Sequence, residues 1–258
     1  MAKLLHDFEG FVKNDTYRIW DDFDHFVTTD TWTSVLGSDG GTATVSDGVG
    51  GVVLLSPSGG LTDDQVVNDE AYIESTCEMF KVATDKPLLF AAKVRPVADT
   101  IATLSVYVGL LDTVAANAIV DTTGVPKTST DQLGFYKKVT TTTWHTIAEA
   151  NSTEMTGITN GVNTAHVVGN NAWDILVLET VPISSTETDV HFYTADLETD
   201  GSYSLSEVGK TASGNQLVCQ RITHTSAAEM SICFGVKAGT ANNSQYLDVD
   251  WVYCAQKR

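Results

Sequence analysis

Three side chains in the segment TETDVHFYT (186–194) alternate along one face of an extended chain: Glu187, Asp189 and His191, with Val190 and Phe192 opposite. Two carboxylates beside an imidazole are the donor types that bind a metal ion or move protons. A half-buried strand produces the same alternation, polar outward and apolar inward. No second ligand set stands at recognisable spacing, so the polar-face reading is preferred, and neither a metal nor a cofactor is expected. A second acidic pair, Asp248 and Asp250 in LDVDWVYC, could join Asp63, Asp64, Asp69 and Glu70 around a calcium ion, which takes hard oxygen ligands. The segment DDQVVNDE lacks the glycine that calcium loops place at their turn. Solvated acids, or contacts to a neighbouring strand or subunit, are expected instead.

Nucleophilic chemistry has little support. None of the six histidines lies by a Gly-x-Ser-x-Gly or cysteine motif, and there is no GxxxxGK[ST] phosphate loop. Five tryptophans offer flat faces on which a sugar ring could stack. Trp173 and Trp251 sit in strongly alternating segments and read as core. Trp32 and Trp144, near strand starts beside threonine-rich sequence, are the candidates for glycan stacking, against a plain packing role.

The elements that must position these residues are strands. Candidates follow one another at 42–45, 51–55, 72–80, 88–95, 103–110, 133–139, 144–150, 173–181, 189–194 and 217–222, separated by Asp-Gly, Asn-Gly and Ser-Gly turn signals. The chain closes on MSICFGVKAG (230–239), a short polar loop and QYLDVDWVYC (245–254), whose alternation reads as a β-hairpin with Trp251 inward. Helix is scarce: LLDTVAANAIVD (110–121) has the best spacing, and a shorter turn starts at Thr62. Short strands at this spacing give an all-β, two-sheet antiparallel sandwich or jelly roll in one domain, residues 21–258. Residues 1–20 lack the turn-punctuated pattern. They read as an N-terminal arm whose Leu4, Leu5, Phe8 and Phe11 seek a partner surface, or as a first edge strand around Tyr17 to Trp20.

Composition narrows the partners. Of 258 residues, 15 are basic and 33 acidic, a formal net charge of -18, which repels phosphate and argues against nucleic acid. No apolar run approaches the roughly 18 residues of a membrane-spanning helix, and no export signal is visible near Met1. The four cysteines share no CxxC spacing and are expected as free buried thiols.

DDFDHF (21–26), Gly50-Gly51 before an apolar strand, LLFAAKVRP (88–96), VYVGLLD (106–112), LGFYK (133–137) and LDVDWV (247–252) together resemble phage virion structural proteins with a concanavalin A-like jelly roll. The resemblance implies a capsid decoration or cement protein that acts by binding, with no enzymatic activity. It implies the major capsid protein or other virion proteins as partners, a homo-oligomer with a trimer favoured, and a place in the virion after assembly in the host cytoplasm. A carbohydrate-binding or receptor-binding tail component is the alternative, with a glycan as ligand. Glycoside hydrolases of this fold carry a Glu-x-Asp-x-Glu run, whose alternate carboxylates flank the scissile bond. Here Glu198-Thr199-Asp200 begins such a run and Ser202 breaks it.

Overall fold

The computed structural model describes residues 16–26, 30–37, 40–46, 51–58, 65–121, 123–127, 130–150, 153–154, 162–197, 203–208, 219–241 and 244–258. In chain order its strands are β1 (Thr16–Asp21), β2 (Trp32–Leu36), β3 (Thr42–Ser46), β4 (Val52–Ser56), β5 (Glu70–Ser75), β6 (Phe80–Lys81), β7 (Leu88–Ala98), β8 (Leu104–Leu111) and β9 (Gln132–Lys137). They continue as β10 (Thr143–Ala150), β11 (Thr153–Glu154), β12 (Val162–Val167), β13 (Asp174–Pro182), β14 (Glu187–Leu197), β15 (Tyr203–Glu207), β16 (Gln220–Thr223), β17 (Glu229–Ala238) and β18 (Gln245–Lys257). Two antiparallel sheets result. The first runs β15-β14-β13-β7-β18-β4-β3, with β1 also on β18 and β16 also on β14. The second runs β11-β10-β9-β8-β17-β5-β2, with β12 also on β10 and β6 also on β17. The sandwich is a jelly roll, as the turn-punctuated alternation predicts. Among the described residues the helical content is one 3-10 turn, Ile101–Thr103.

Two sequence expectations change and one open alternative is decided. The closing pair is not a hairpin: β17 lies in the second sheet and β18 in the first, so the loop between them crosses the sandwich and the two strands face each other across the core. The segment read as a helix at 110–121 extends β8 through Leu111 and then folds as a loop over the outer face of the second sheet. Ala118 and Ile119 pack there on Tyr72 and Tyr107. Helical propensity loses to tertiary partners. Lys237, 2% exposed, donates from Nζ to Glu70 Oε2 (2.9 Å), Asn117 Oδ1 (2.8 Å) and the Ile119 carbonyl (2.9 Å), and also pairs with Asp121. Asn117 sits at φ 62°, outside helical geometry. Of the two readings offered for the stretch around Tyr17 to Trp20, the edge strand is the one found: Thr16–Asp21 runs in register with β18 from Thr16 opposite Lys257 to Asp21 opposite Val252. Leu4, Leu5, Phe8 and Phe11 lie outside the described residues, as does the turn expected at Thr62.

The core is filled from both inner faces by Phe90, Val94, Phe135, Phe192, Phe234, Val249 and their neighbours. Trp32 and Trp144 are both 0% exposed, so neither can stack on a sugar. Each spans the sandwich and donates its indole N–H to a carboxylate of the facing sheet, Trp32 to Asp21 Oδ2 (2.7 Å) and Trp144 to Asp174 Oδ2 (2.9 Å). A buried indole satisfied in this way couples large apolar area to a fixed sheet-to-sheet register, and truncating one costs about 3–5 kcal/mol.

Lys137 is the anomaly in this interior. It ends β9 on the inward face, is 0% exposed, and directs its ammonium at the Leu104 carbonyl. Burial lowers its pKa to about 7. In the unfolded chain the group titrates near 10.4, so between pH 7 and 10 the unfolded state binds more protons and stability rises with pH. Lys137→Met is expected to stabilise the protein at pH 7, with the gain shrinking toward pH 10. Urea unfolding at both pH values measures it, and a gain independent of pH contradicts the assignment.

Candidate functional site

The outer face of the first sheet carries the surface chemistry. β18 spans thirteen residues, and between Val249 and Trp251 its register against β7 shifts: Val249 faces Val94, whereas Trp251 faces Lys93. Asp250 is thus an extra residue, a β-bulge, and it reverses which face later side chains occupy. Leu247 and Val249 are in the core before the bulge, and Val252 and Cys254 after it. Trp251 and Tyr253 therefore point outward, contrary to the inward Trp251 expected from strict alternation.

On β1, antiparallel to this stretch, Trp20 stands opposite Tyr253. Trp20 is 59% exposed. It stacks on Trp251 with ring centroids 5.7 Å apart at 22°, and meets Tyr253 at 6.1 Å and 57°. Leu89, Ala91, Ile175, Val177 and Ala195 form a buried apolar floor beside this shelf, with Trp251, Tyr253 and Tyr193 packed against it. Trp20, exposed and stacked on the half-buried Trp251, offers a flat apolar face at the surface.

Next along β18 come two ion pairs. Lys93 Nζ reaches Asp250 Oδ2 (2.5 Å), and Arg95 donates from Nε (2.8 Å) and Nη2 (2.6 Å) to Asp248 Oδ2. Both cations also lie against the ring of Trp173, the Lys93 ammonium at 4.9 Å and the Arg95 guanidinium at 4.7 Å from its centroid. Trp173, expected in the core, is a half-buried cation–π partner at the surface. Asp248 is 1% exposed. Burial pushes its carboxyl above the usual range, and the Arg95 guanidinium opposes that shift. Asp250 thus contributes a cation-held acceptor at the end of the aromatic shelf, while the buried Asp248 fixes Arg95.

The other acidic groups do not join them. Asp69 Oδ2 accepts from the Val66 N–H (2.7 Å), and Glu70, on the second sheet, is held by Lys237. Asp63 and Asp64 lie outside the described residues. No calcium set therefore forms from the described acids of that group. Glu187, Asp189 and His191 share the outer face of β14, as their alternation predicts, but separate partners hold two of them. Asp189 takes two hydrogen bonds from Arg221 (2.7 and 2.9 Å), which hold its carboxyl below the usual range. His191 Nδ1 lies 2.9 Å from Glu207 Oε1. Glu198, Asp200 and Ser202 lie outside the described residues. All four cysteines are free thiols, Cys233 and Cys254 buried, Cys219 half-buried and Cys77 exposed. A surface cavity of about 250 Å³ on the second sheet, between Leu111 and Thr130, has no aromatic in its lining.

No protein-family model and no curated protein matches the sequence. The fold has many counterparts among solved structures. A protein of unknown function from Shewanella oneidensis MR-1 superposes over 100% of this chain and 95% of its own, with a TM-score of 0.56 and 11% identity. The carbohydrate recognition domain of Emp47p matches over 94% and 97%, at 0.54 and 9%. An endo-1,3-β-glucanase from Streptomyces sioyaensis matches over 95% and 97%, at 0.55 and 14%. At such identities the likeness establishes the fold alone, a concanavalin A-like jelly-roll sandwich. It adds nothing toward a virion or capsid role. Enzymes and recognition domains share this fold, so function must be argued from the site.

The outer face yields a stability test. Arg95→Met leaves the Asp248 carboxylate buried without its cation and is expected to cost about 3–5 kcal/mol at neutral pH. The penalty should shrink as pH falls and the carboxyl takes up a proton, because the neutral acid needs no counter-ion. Chemical denaturation of both proteins at pH 7 and pH 4.5 checks this, and an equal cost at the two pH values argues against it.

Proposed function

We propose that the protein is a glycan-recognition domain that receives a sugar chain on the outer face of its first sheet. The observation that carries this reading is the exposed Trp20 ring stacked on the half-buried Trp251, with the half-buried Tyr253 beside it. Indole and phenol rings at an open surface match the apolar face of a pyranose, and a soluble surface seldom leaves such area uncovered without a ligand. The Lys93–Asp250 pair and Arg95 stand at the end of the shelf, where the Asp250 carboxylate and the Arg95 guanidinium can exchange hydrogen bonds with hydroxyls, while the buried Asp248 holds Arg95 in place. Being held by salt bridges, they are oriented before the ligand arrives, which limits the ordering cost of binding. The fold shared with the Emp47p carbohydrate recognition domain supports the same reading by analogy. On this proposal sugar binding moves from Trp32 and Trp144 to Trp20 and Trp251.

A glycan array followed by titration of the best binder tests it. Trp20→Ala and Trp251→Ala should each weaken binding by at least about tenfold, equivalent to about 1.4 kcal/mol. Trp20→Ala should leave the melting temperature nearly unchanged, because its ring is largely in solvent already. An array hit whose affinity survives both substitutions, or silence across neutral and acidic glycans, overturns the proposal. Release of reducing ends from any bound polysaccharide would instead mark a hydrolase.

A further inference from the structure

At the opposite edge of the same sheet, the long strand β14 changes partners. It pairs with β16 through Glu187–Val190 and with β15 through Tyr193–Leu197, so the handover falls at His191 and Phe192. Asp189 stands opposite Arg221, and Cys219 lies two residues before Arg221 at the start of β16, which brings it level with His191. An Asp189 oxygen, a His191 ring nitrogen and the Cys219 sulfur all lie within 4.8 Å of one another. Sequence spacing offered only the first two of these; the thiol arrives through long-range strand pairing.

We propose that Asp189, His191 and Cys219 bind a borderline-soft divalent cation, with zinc as the ion these donors select. Thiolate, imidazole and carboxylate together favour zinc over calcium or magnesium, which take oxygen ligands. Tetrahedral bonds of about 2.0–2.3 Å place ligand atoms roughly 3.5 Å apart, so side-chain rotations of about an ångström close the site. Three protein ligands leave the fourth position to water.

The surroundings are those of a supported metal site. Glu207 Oε1, 2.9 Å from His191 Nδ1, is placed to accept that N–H, leaving the lone pair of a neutral imidazole on Nε2. Arg221 orients the Asp189 carboxylate through Nε and Nη2 and uses two of its roughly four lone-pair positions. Binding replaces the thiol proton by the metal: the S–H bond breaks, a Zn–S bond forms, and one proton leaves to solvent. Arg221 and the ion, three positive charges in all, then offset those of Asp189, Glu207 and the Cys219 thiolate, with Glu187 adding a fourth negative charge beside Arg221. The site lies on the far side of β13, β7 and β18 from Trp20, and it stands or falls independently of sugar binding.

The test uses the full chain, reduced and freed of metal, titrated with Co2+ as a spectroscopic probe and with Zn2+. One equivalent of Co2+ should produce a thiolate-to-metal charge-transfer band that is lost in Cys219→Ser, weakened at least tenfold in apparent affinity in His191→Ala, and unchanged in Cys77→Ser. In the unsubstituted protein, Zn2+ should slow alkylation of Cys219 by iodoacetamide at least tenfold, read by mass spectrometry of the modified peptide. That measurement stands even if a variant fails to fold. A missing band, a band that survives Cys219→Ser, or unprotected alkylation of Cys219 at saturating Zn2+ overturns the site.

Discussion

One residue sets the character of the molecule's exposed face. Asp250 interrupts the two-residue period of β18, and a slip of one position sends every later side chain to the other side of a sheet. Without the bulge, Trp251 and Tyr253 would crowd an interior already filled by Phe90, Phe234 and Trp32, and Val252 and Cys254 would turn to water. With it, small and medium side chains continue the core while two large aromatics reach the surface beside Trp20. The bulge also gives Asp250 its direction, toward Lys93 on the neighbouring strand. An aromatic shelf and its flanking ion pair thus follow from one insertion in one ladder.

That face depends on a rigid support, and the two buried tryptophans supply much of it. Trp32 and Trp144 belong to the second sheet, while Asp21 and Asp174, which accept their indole N–H groups, belong to the first. Hydrophobic burial alone is non-directional and would tolerate sliding of one sheet over the other. A hydrogen bond that must be kept or left unsatisfied in the interior does not. Asp21 closes β1, so the bond from Trp32 also anchors the edge strand that presents Trp20.

The sandwich was legible because its signal is local. Alternation and Gly-containing turns marked most of the longer strands, including β7, β8, β10, β13, β14 and β17, to within a few residues. Shorter pieces such as β2, β6 and β15 carry too few periods to stand out. Partner choice was not legible: β17 and β18 read as a hairpin because adjacency in sequence is the usual guide to pairing, and only the packed core shows that they face each other from opposite sheets. The site was harder still. Trp32 and Trp144 were chosen for polar flanks, whereas their environment is set by residues at 21 and 174. Lys93 and Arg95 straddle the buried Val94 on β7, but nothing local in the sequence indicates which acids they meet. The bulge at Asp250 has no signature in LDVDWVYC, where every second residue is apolar.

A common geometry underlies both positions where ligands are proposed. A long strand outruns its short edge neighbours, and two of them share its side with a gap between. β18 is flanked by β4 at Leu247–Val249 and by β1 from Val252 onward, leaving Asp250 and Trp251 between them. β14 is flanked by β16 and β15, leaving His191 and Phe192 at the join. The ladder cannot satisfy the backbone fully at such a join, and side chains from three strands can converge there. β17 in the second sheet shows the alternative outcome. Its partners β6 and β5 leave Ser231 and Ile232 between them, and the Ser75 hydroxyl closes the gap by accepting the Ile232 N–H at 3.0 Å. Where a hydroxyl fills the join, the result is structural. Where the join holds a half-buried indole beneath an exposed one, or a thiol beside an imidazole, the same discontinuity has donor groups left to offer a ligand.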